Sequence, residues 1–183
     1  MLHSLKSFLN RFREDTRGTV AVEAAIMLPV LFWAFMAMAL FFDMYQTRST
    51  TEKAAYTISD MLSRETAAVD EEYVDNALDL FKAISSLDSI SSLRVSVVAW
   101  SDIDEDYFLD WSYGTGLDEG LTEQSLANMS SKLPELVNGE RLIVVQTFGK
   151  YDPPINIGLG TVDMDTFVFT RPRFAPQLAW SGA

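Results

Sequence analysis

Few side chains in this chain of 183 residues could do chemistry. Cysteine is absent and the one histidine is His3. That excludes Ser-His-Asp and Cys-His nucleophilic catalysis, every usual zinc site and any disulfide framework. Carboxylates remain. Asp102-Ile103-Asp104-Glu105-Asp106 places aspartates at alternate positions, the opening of a calcium loop. Asp102, Asp104 and Asp106 are therefore a candidate weak cation loop. The sixth position is Tyr107 where such a loop needs glycine, and the twelfth is Tyr113 where it needs glutamate. A solvated acidic turn is the alternative. Glu119 and Glu123 show nothing that separates them from ordinary surface acids, so no catalytic pair is assigned. Asn128-Met129-Ser130 has the form of a glycosylation acceptor and reads as chance. The residues assign no catalytic side chain, no metal and no cofactor, and the expectation is a protein that is not an enzyme.

One further carboxylate stands out by its surroundings. Glu23 precedes residues 24–42, AAIMLPVLFWAFMAMALFF, which are 19 residues without a charge. About 20 apolar residues cross the hydrocarbon core of a membrane. A helix over residues 19–42 would be roughly 36 Å long at 1.5 Å per residue. A buried core helix of that length would carry a polar face, and none exists between Ala24 and Phe42. A removable secretory signal is the other alternative, since Ala37-Met38-Ala39 matches a cleavage pattern. It would leave Leu40-Phe41-Phe42 at the new terminus, after an apolar run longer than such signals use. An acidic side chain at the centre of a membrane helix costs about 2.5–3.5 kcal/mol, and less near the interface. Taken alone, Glu23 reads as an interfacial carboxylate that stays wet.

Charge sets the topology. The chain carries 14 Lys and Arg against 26 Asp and Glu, a net −12. Before the apolar run lie Lys6, Arg11, Arg13 and Arg17 against Glu14, Asp15 and Glu23; after it lie 10 basic and 23 acidic side chains. The positive-inside rule keeps the basic flank in the cytoplasm. Three segments follow: a basic cytoplasmic leader at 1–18, a transmembrane helix at 19–42 and an extracytoplasmic domain at 43–183. So acidic a domain is a poor nucleic-acid binder, because phosphate contacts need basic groups.

The run Arg17-Gly18-Thr19-Val20-Ala21-Val22-Glu23 resembles the prepilin cleavage motif of type IV pilins and pseudopilins. Carried on through Ala25, Pro29 and Leu31, it is similar to the RG-x-x-AVE-x-A-x-x-x-P-x-L signature of TadE-like proteins, which belong to tight-adherence (Flp-type) pilus systems. Phe169-Thr170-Arg171-Pro172-Arg173-Phe174-Ala175-Pro176 is also similar to members of that family. Ala24 stands where the family often has an aromatic residue. The resemblance implies a pilin-like fold and cleavage between Gly18 and Thr19 by a prepilin peptidase. It makes Glu23 the determinant of subunit register, through the new α-amine of a neighbouring subunit. It implies the inner membrane, other pilus subunits and pseudopilins as partners, with the domain in the periplasm or on the pilus at the cell surface. The role would be a minor component or assembly factor. The alternative is an uncleaved single-pass protein whose outer domain binds or senses. Glycine suits a bond that a peptidase must hold extended, since it has no Cβ to clash. Pro29 would kink the transmembrane helix.

The elements around these residues read as α+β. After Pro29, neither Pro nor Gly interrupts the chain up to Glu65. Met44, Thr51, Ala54, Ala55, Ile58, Met61 and Leu62 fall at helical spacing, so the membrane helix is expected to continue as an amphipathic stem. Asp70 could cap a second helix with Val74, Ala77, Leu78, Phe81 and Ile84 on one face. Residues 85–92 are polar punctuation. Strands are expected at 93–100, 107–113, 141–150 and 162–170, with a short helix at 122–133 stopped by Pro134 and a turn at Asn138-Gly139. Short links favour a small antiparallel sheet of about four strands, packed on the stem with one or two short helices. Trp100, Tyr107, Phe108, Trp111 and Tyr113 cluster near the acidic run. They could form a binding surface, and the weight of ring burial favours a small core between sheet and stem.

Overall fold

The computed structural model describes residues 18–85, 87, 91–116, 119–155, 158 and 160–182. The expected basic leader, apart from Gly18, lies outside the described residues. The chain divides into two units, Met1–Phe42 and Asp43–Ala183. Helix α1, Gly18–Ser63, begins in the first and ends in the second. In the first unit most of its side chains are exposed: Val20, Ile26, Phe32, Trp33, Phe35, Met38 and Phe42 are each more than half exposed, while Met36 and Ala37 are half-buried and Leu40 is buried. No face of this segment is reserved for water, which is the pattern of a helix solvated by something apolar. It is long and apolar enough to cross a membrane.

In the second unit α1 becomes one-sided. Thr51, Ala54, Ala55, Ile58 and Leu62 are buried, as the spacing predicts, and Ser59 and Ser63 are buried beside them. Met44 and Met61 are half-buried. The helix stops at Ser63 and not at Glu65: the backbone N–H of Arg173 donates to the carbonyl of Ser63 at 2.7 Å, satisfying one of the free carbonyls of the last turn. Helix α2 is Glu71–Ser85. Asp70 caps it, accepting from the Tyr73 N–H at 2.9 Å, and Val74, Ala77, Leu78 and Phe81 are buried.

Strands β1 (Ser92–Ser101), β2 (Asp106–Thr115), β3 (Arg141–Phe148) and β6 (Thr166–Thr170) form one antiparallel sheet in the order β2-β1-β3-β6. The expected strands 141–150 and 162–170 are each interrupted. Gly149 breaks the first, and Met164 and Asp165 break the second. The flanking pieces β4 (Lys150–Tyr151) and β5 (Val162–Asp163) pair separately. Thr147 lies opposite Thr166 and Lys150 opposite Asp163, so the register runs on through the break, where the Met164 N–H reaches the Gly149 carbonyl at 2.8 Å. The predicted helix 122–133 shortens to α3, Glu123–Met129, with a 3₁₀ turn at Ser130–Lys132. Thr122 caps α3 through the Ser125 N–H. Gly139, in the Asn138-Gly139 turn, has a φ of 78°, a conformation glycine reaches without strain.

The sheet is covered on both faces. On one, α1 and α2 bury Ile58, Leu62, Val74 and Phe81 against Val95, Val97, Ile143, Val145 and Val168. On the other, Leu121, Leu126, Met129, Leu133 and Leu136 cover Val98, Leu142 and Val144. A bulge in β2 serves this division. Val97 pairs with Trp111 and Val98 with Leu109, leaving Asp110 as the extra residue. In a regular strand Tyr107, Leu109, Trp111 and Tyr113 would share a face. The bulge sends Trp111 and Tyr113 to the helix side and Tyr107 and Leu109 to the other.

Candidate functional site

Gly18 is the first described residue of α1. A Cβ placed on it would meet nothing within 4 Å among the described residues. Glycine in a helix costs roughly 0.5–1 kcal/mol relative to alanine, and no close approach among the described residues accounts for it. One turn on, Glu23 is exposed, with Val20, Val22, Ile26 and Met27 exposed around it. Among the described residues its carboxylate has no hydrogen bond and no ion pair. A carboxylate surrounded by apolar surface is tolerated when a partner supplies the missing charge. Pro29 lies inside α1, and the helix continues through it.

The acidic run is the turn between β1 and β2. Its carboxylates answer three separate local donors. Asp102 Oδ1 accepts from Trp100 Nε1 at 2.7 Å, Asp104 Oδ2 from Ser101 Oγ at 2.8 Å, and Asp106 Oδ1 from the Tyr107 N–H at 2.7 Å. Asp102 N–H donates to Asn138 Oδ1 at 3.1 Å, tying this turn to the next. Glu105 takes a φ of 51°, in the position a calcium loop would not reserve for it. Among the described residues, no group of three or more His, Cys, Asp or Glu side chains is placed to hold a metal ion. Asp102, Asp104 and Asp106 are therefore neighbours in sequence whose oxygens are not gathered at one point.

The clustered aromatics mostly line the two cores. Trp100 meets Tyr107 edge-on at 4.8 Å, and the Tyr107 hydroxyl donates to the Pro134 carbonyl at 2.6 Å. Trp111 stacks on Trp180 at 4.7 Å and donates to the Leu178 carbonyl at 2.8 Å. Tyr113 meets the same Trp180 at 5.3 Å. Phe108 alone of the five is exposed. Burial first, and the charge of Asp75 and then Glu71 second, push the Tyr113 phenol up.

A cleft of about 550 Å³ was not foreseen from the sequence. Asp43, Gln46, Thr47 and Thr50 of α1 form one wall, Lys150, Tyr151, Asp152 and Pro154 the other, with Ser85 and Leu87 between them. The Tyr151 hydroxyl donates to Asp43 Oδ2 at 2.5 Å across it. Burial, then this bond to the carboxylate, pushes the Tyr151 phenol up to about 12. Ser85 Oγ is buried with no hydrogen-bond partner among the described residues. The one sequence signal for this site is the polar spacing of 43, 46, 47 and 50 along a helix whose later turns present apolar residues on that side.

No curated protein matches the chain. Residues 18–59 match the family model of TadE-like proteins. The matched segment starts at the glycine that opens α1, holds Glu23 and Pro29, takes in the whole apolar run and ends two turns into the buried stripe of the stem. Over residues 18–59 the chain is thus similar to TadE-like proteins.

Proposed function

We propose that the protein is a membrane-anchored, TadE-like pseudopilin, a minor component or assembly factor of a tight-adherence pilus, and a substrate of the prepilin peptidase. The observation that carries this is the family match over residues 18–59, which joins the apolar helix to its Gly18 and Glu23. Its role is structural. Hydrolysis of the Gly18–Thr19 bond would leave the Gly18 carboxylate on the released leader and an α-amine on Thr19. The steric freedom around Gly18 supports this reading, because among the described residues the glycine answers to no contact. So does Glu23, unpaired among the described residues, which suits an amine supplied by an adjacent subunit and so fixes axial stagger. The leader would stay in the cytoplasm and the domain at 43–183 would stand in the periplasm, meeting other pilus subunits through its acidic surface.

Mass spectrometry of the protein from membranes of peptidase-competent cells tests the processing step. The expected chain begins at Thr19. An intact leader would leave an uncleaved anchor whose outer domain binds or senses. Glu23→Ala should be cleaved normally but fail to support pili; normal piliation by this variant would remove the register role.

A further inference from the structure

We infer that the cleft beside Tyr151 is a binding site for a phospholipid headgroup that carries both a phosphate and a primary ammonium. The inference rests on the membrane reading above and names a ligand for the domain. Asp43 directly follows Phe42, the last residue of the apolar run, so one wall of the cleft begins where the hydrocarbon-spanning stretch ends. A membrane protein meets headgroups at that level.

The wall is specialised. Asp43, Gln46, Thr47 and Thr50 recur at helical spacing, and the same side of α1 carries buried Ala54 and Ile58 one and two turns later. The stripe that packs the core thus turns polar and opens at its first turns. A core that had only to be closed would not be built this way. The cleft volume of about 550 Å³ lies within the usual range for small-molecule sites.

Its chemistry is of both signs. Asp43 and Asp152 offer carboxylates to an ammonium, which can donate three N–H bonds. Lys150 offers an ammonium to phosphate oxygens, and Thr47 and Thr50 add hydroxyls. Ser85 Oγ, buried and without a partner among the described residues, supplies a donor and acceptor that they leave unused. A headgroup with phosphate alone would add a negative charge to a cleft lined by two carboxylates and a single ammonium, that of Lys150. A choline would bring a positive charge with no N–H to donate. Ethanolamine-type headgroups satisfy both ends. Leu87 and Pro154 provide apolar contact for the two-carbon link.

The test uses the full chain in nanodiscs of defined composition, followed by native mass spectrometry. The preference expected for phosphatidylethanolamine over phosphatidylcholine or phosphatidylglycerol is about tenfold or more in retained lipid. Lys150→Ala and Asp152→Asn should each abolish that preference while leaving the circular dichroism of the domain unchanged. Ser85→Ala, which only removes a hydroxyl, should weaken retention in the same direction. Soluble glycerophosphoethanolamine should displace the lipid, which would show that the headgroup is the recognised part. Equal retention of all three lipids, variants that behave as the parent, or displacement by inorganic phosphate as readily as by glycerophosphoethanolamine would each overturn the proposal. Failure of the chain to enter nanodiscs would instead overturn the membrane reading, and co-elution with the disc shows which has failed.

Discussion

Two phenols in the domain end on carboxylates. Tyr73 donates to Glu65 Oε2 at 3.1 Å and Tyr151 to Asp43 Oδ2 at 2.5 Å. In each, burial first and the neighbouring carboxylate second raise the phenol to about 12. Glu65 moves the other way: it accepts from the backbone N–H groups of Ala67 and Thr66, and these hold its carboxyl below the ordinary value. The signs differ accordingly. The folded state keeps the two phenolic protons after the unfolded chain has begun to lose its own, so stability is full below the ordinary value of 10 and falls as pH rises through about 12. Glu65 contributes stability above its ordinary value of 4.5, lost as pH falls through the lowered one. Urea unfolding of the Tyr73→Phe, Tyr151→Phe double variant should show a shallower alkaline loss than the parent; identical slopes would mean that neither phenol is perturbed. At this scale the sequence was partly legible. Asp70 could be read as a cap because its partner is three residues away. Tyr151 and Asp43 are 108 positions apart, and nothing local in either links them.

The strand β2 shows what an element needs beyond its pattern. Four inward-leaning side chains at alternate positions read as one face, and Asp110 divides them between two. The bulge gives a counter-intuitive prediction. Removing Asp110 by deletion leaves Leu109 next to Trp111, so both keep their faces and only the bond to Arg141, at 2.6 Å, is lost. That pair is partly exposed, and the deletion should cost within about 1 kcal/mol. Deleting Phe108 instead turns Tyr107 away from Trp100 and Pro134, and should cost about 3 kcal/mol or more. Urea midpoints of the two deletions decide it: equal losses would show that β2 does not sort its side chains by the bulge. The expected strands 141–150 and 162–170 were nearly right because apolar alternation survives a break in the ladder. The break itself lies at Gly149 and at buried Met164, whose burial depends on contacts no short window contains.

For the whole molecule, the cores decide which part can stand alone. Both clusters on the sheet are made of residues from Ala54 onward. Neither cluster includes a residue before Asp43. Residues 43–183 should therefore be soluble and unfold cooperatively when expressed without 1–42, as size exclusion and thermal circular dichroism would show; aggregation or a non-cooperative melt would mean that the membrane helix is part of the fold. The charge gradient read from composition separates the same two parts, because membrane solvation and water solvation demand opposite side chains and leave a sharp record in sequence. The cleft left almost none, since its walls come from α1, β4 and the loop after β4, and become a site only when these are brought together.

The backbone of residues 69 and 178–181 closes the domain in a particular way. Val69 N–H donates to the Ala179 carbonyl at 2.9 Å and the Ser181 N–H returns to the Val69 carbonyl at 2.9 Å, a parallel bridge across more than a hundred residues. Leu178 is buried in the main core, and Trp180 lies on Trp111 and Tyr113. Synthesis runs from the other end. Helices α1 and α2 emerge early, yet the last wall of their core is delivered only when residues 178–181 have been made. Arrested chains ending before Leu178 should stay sensitive to protease, and full-length chains should become resistant. The expected consequence is that the domain closes only after translation has passed Trp180.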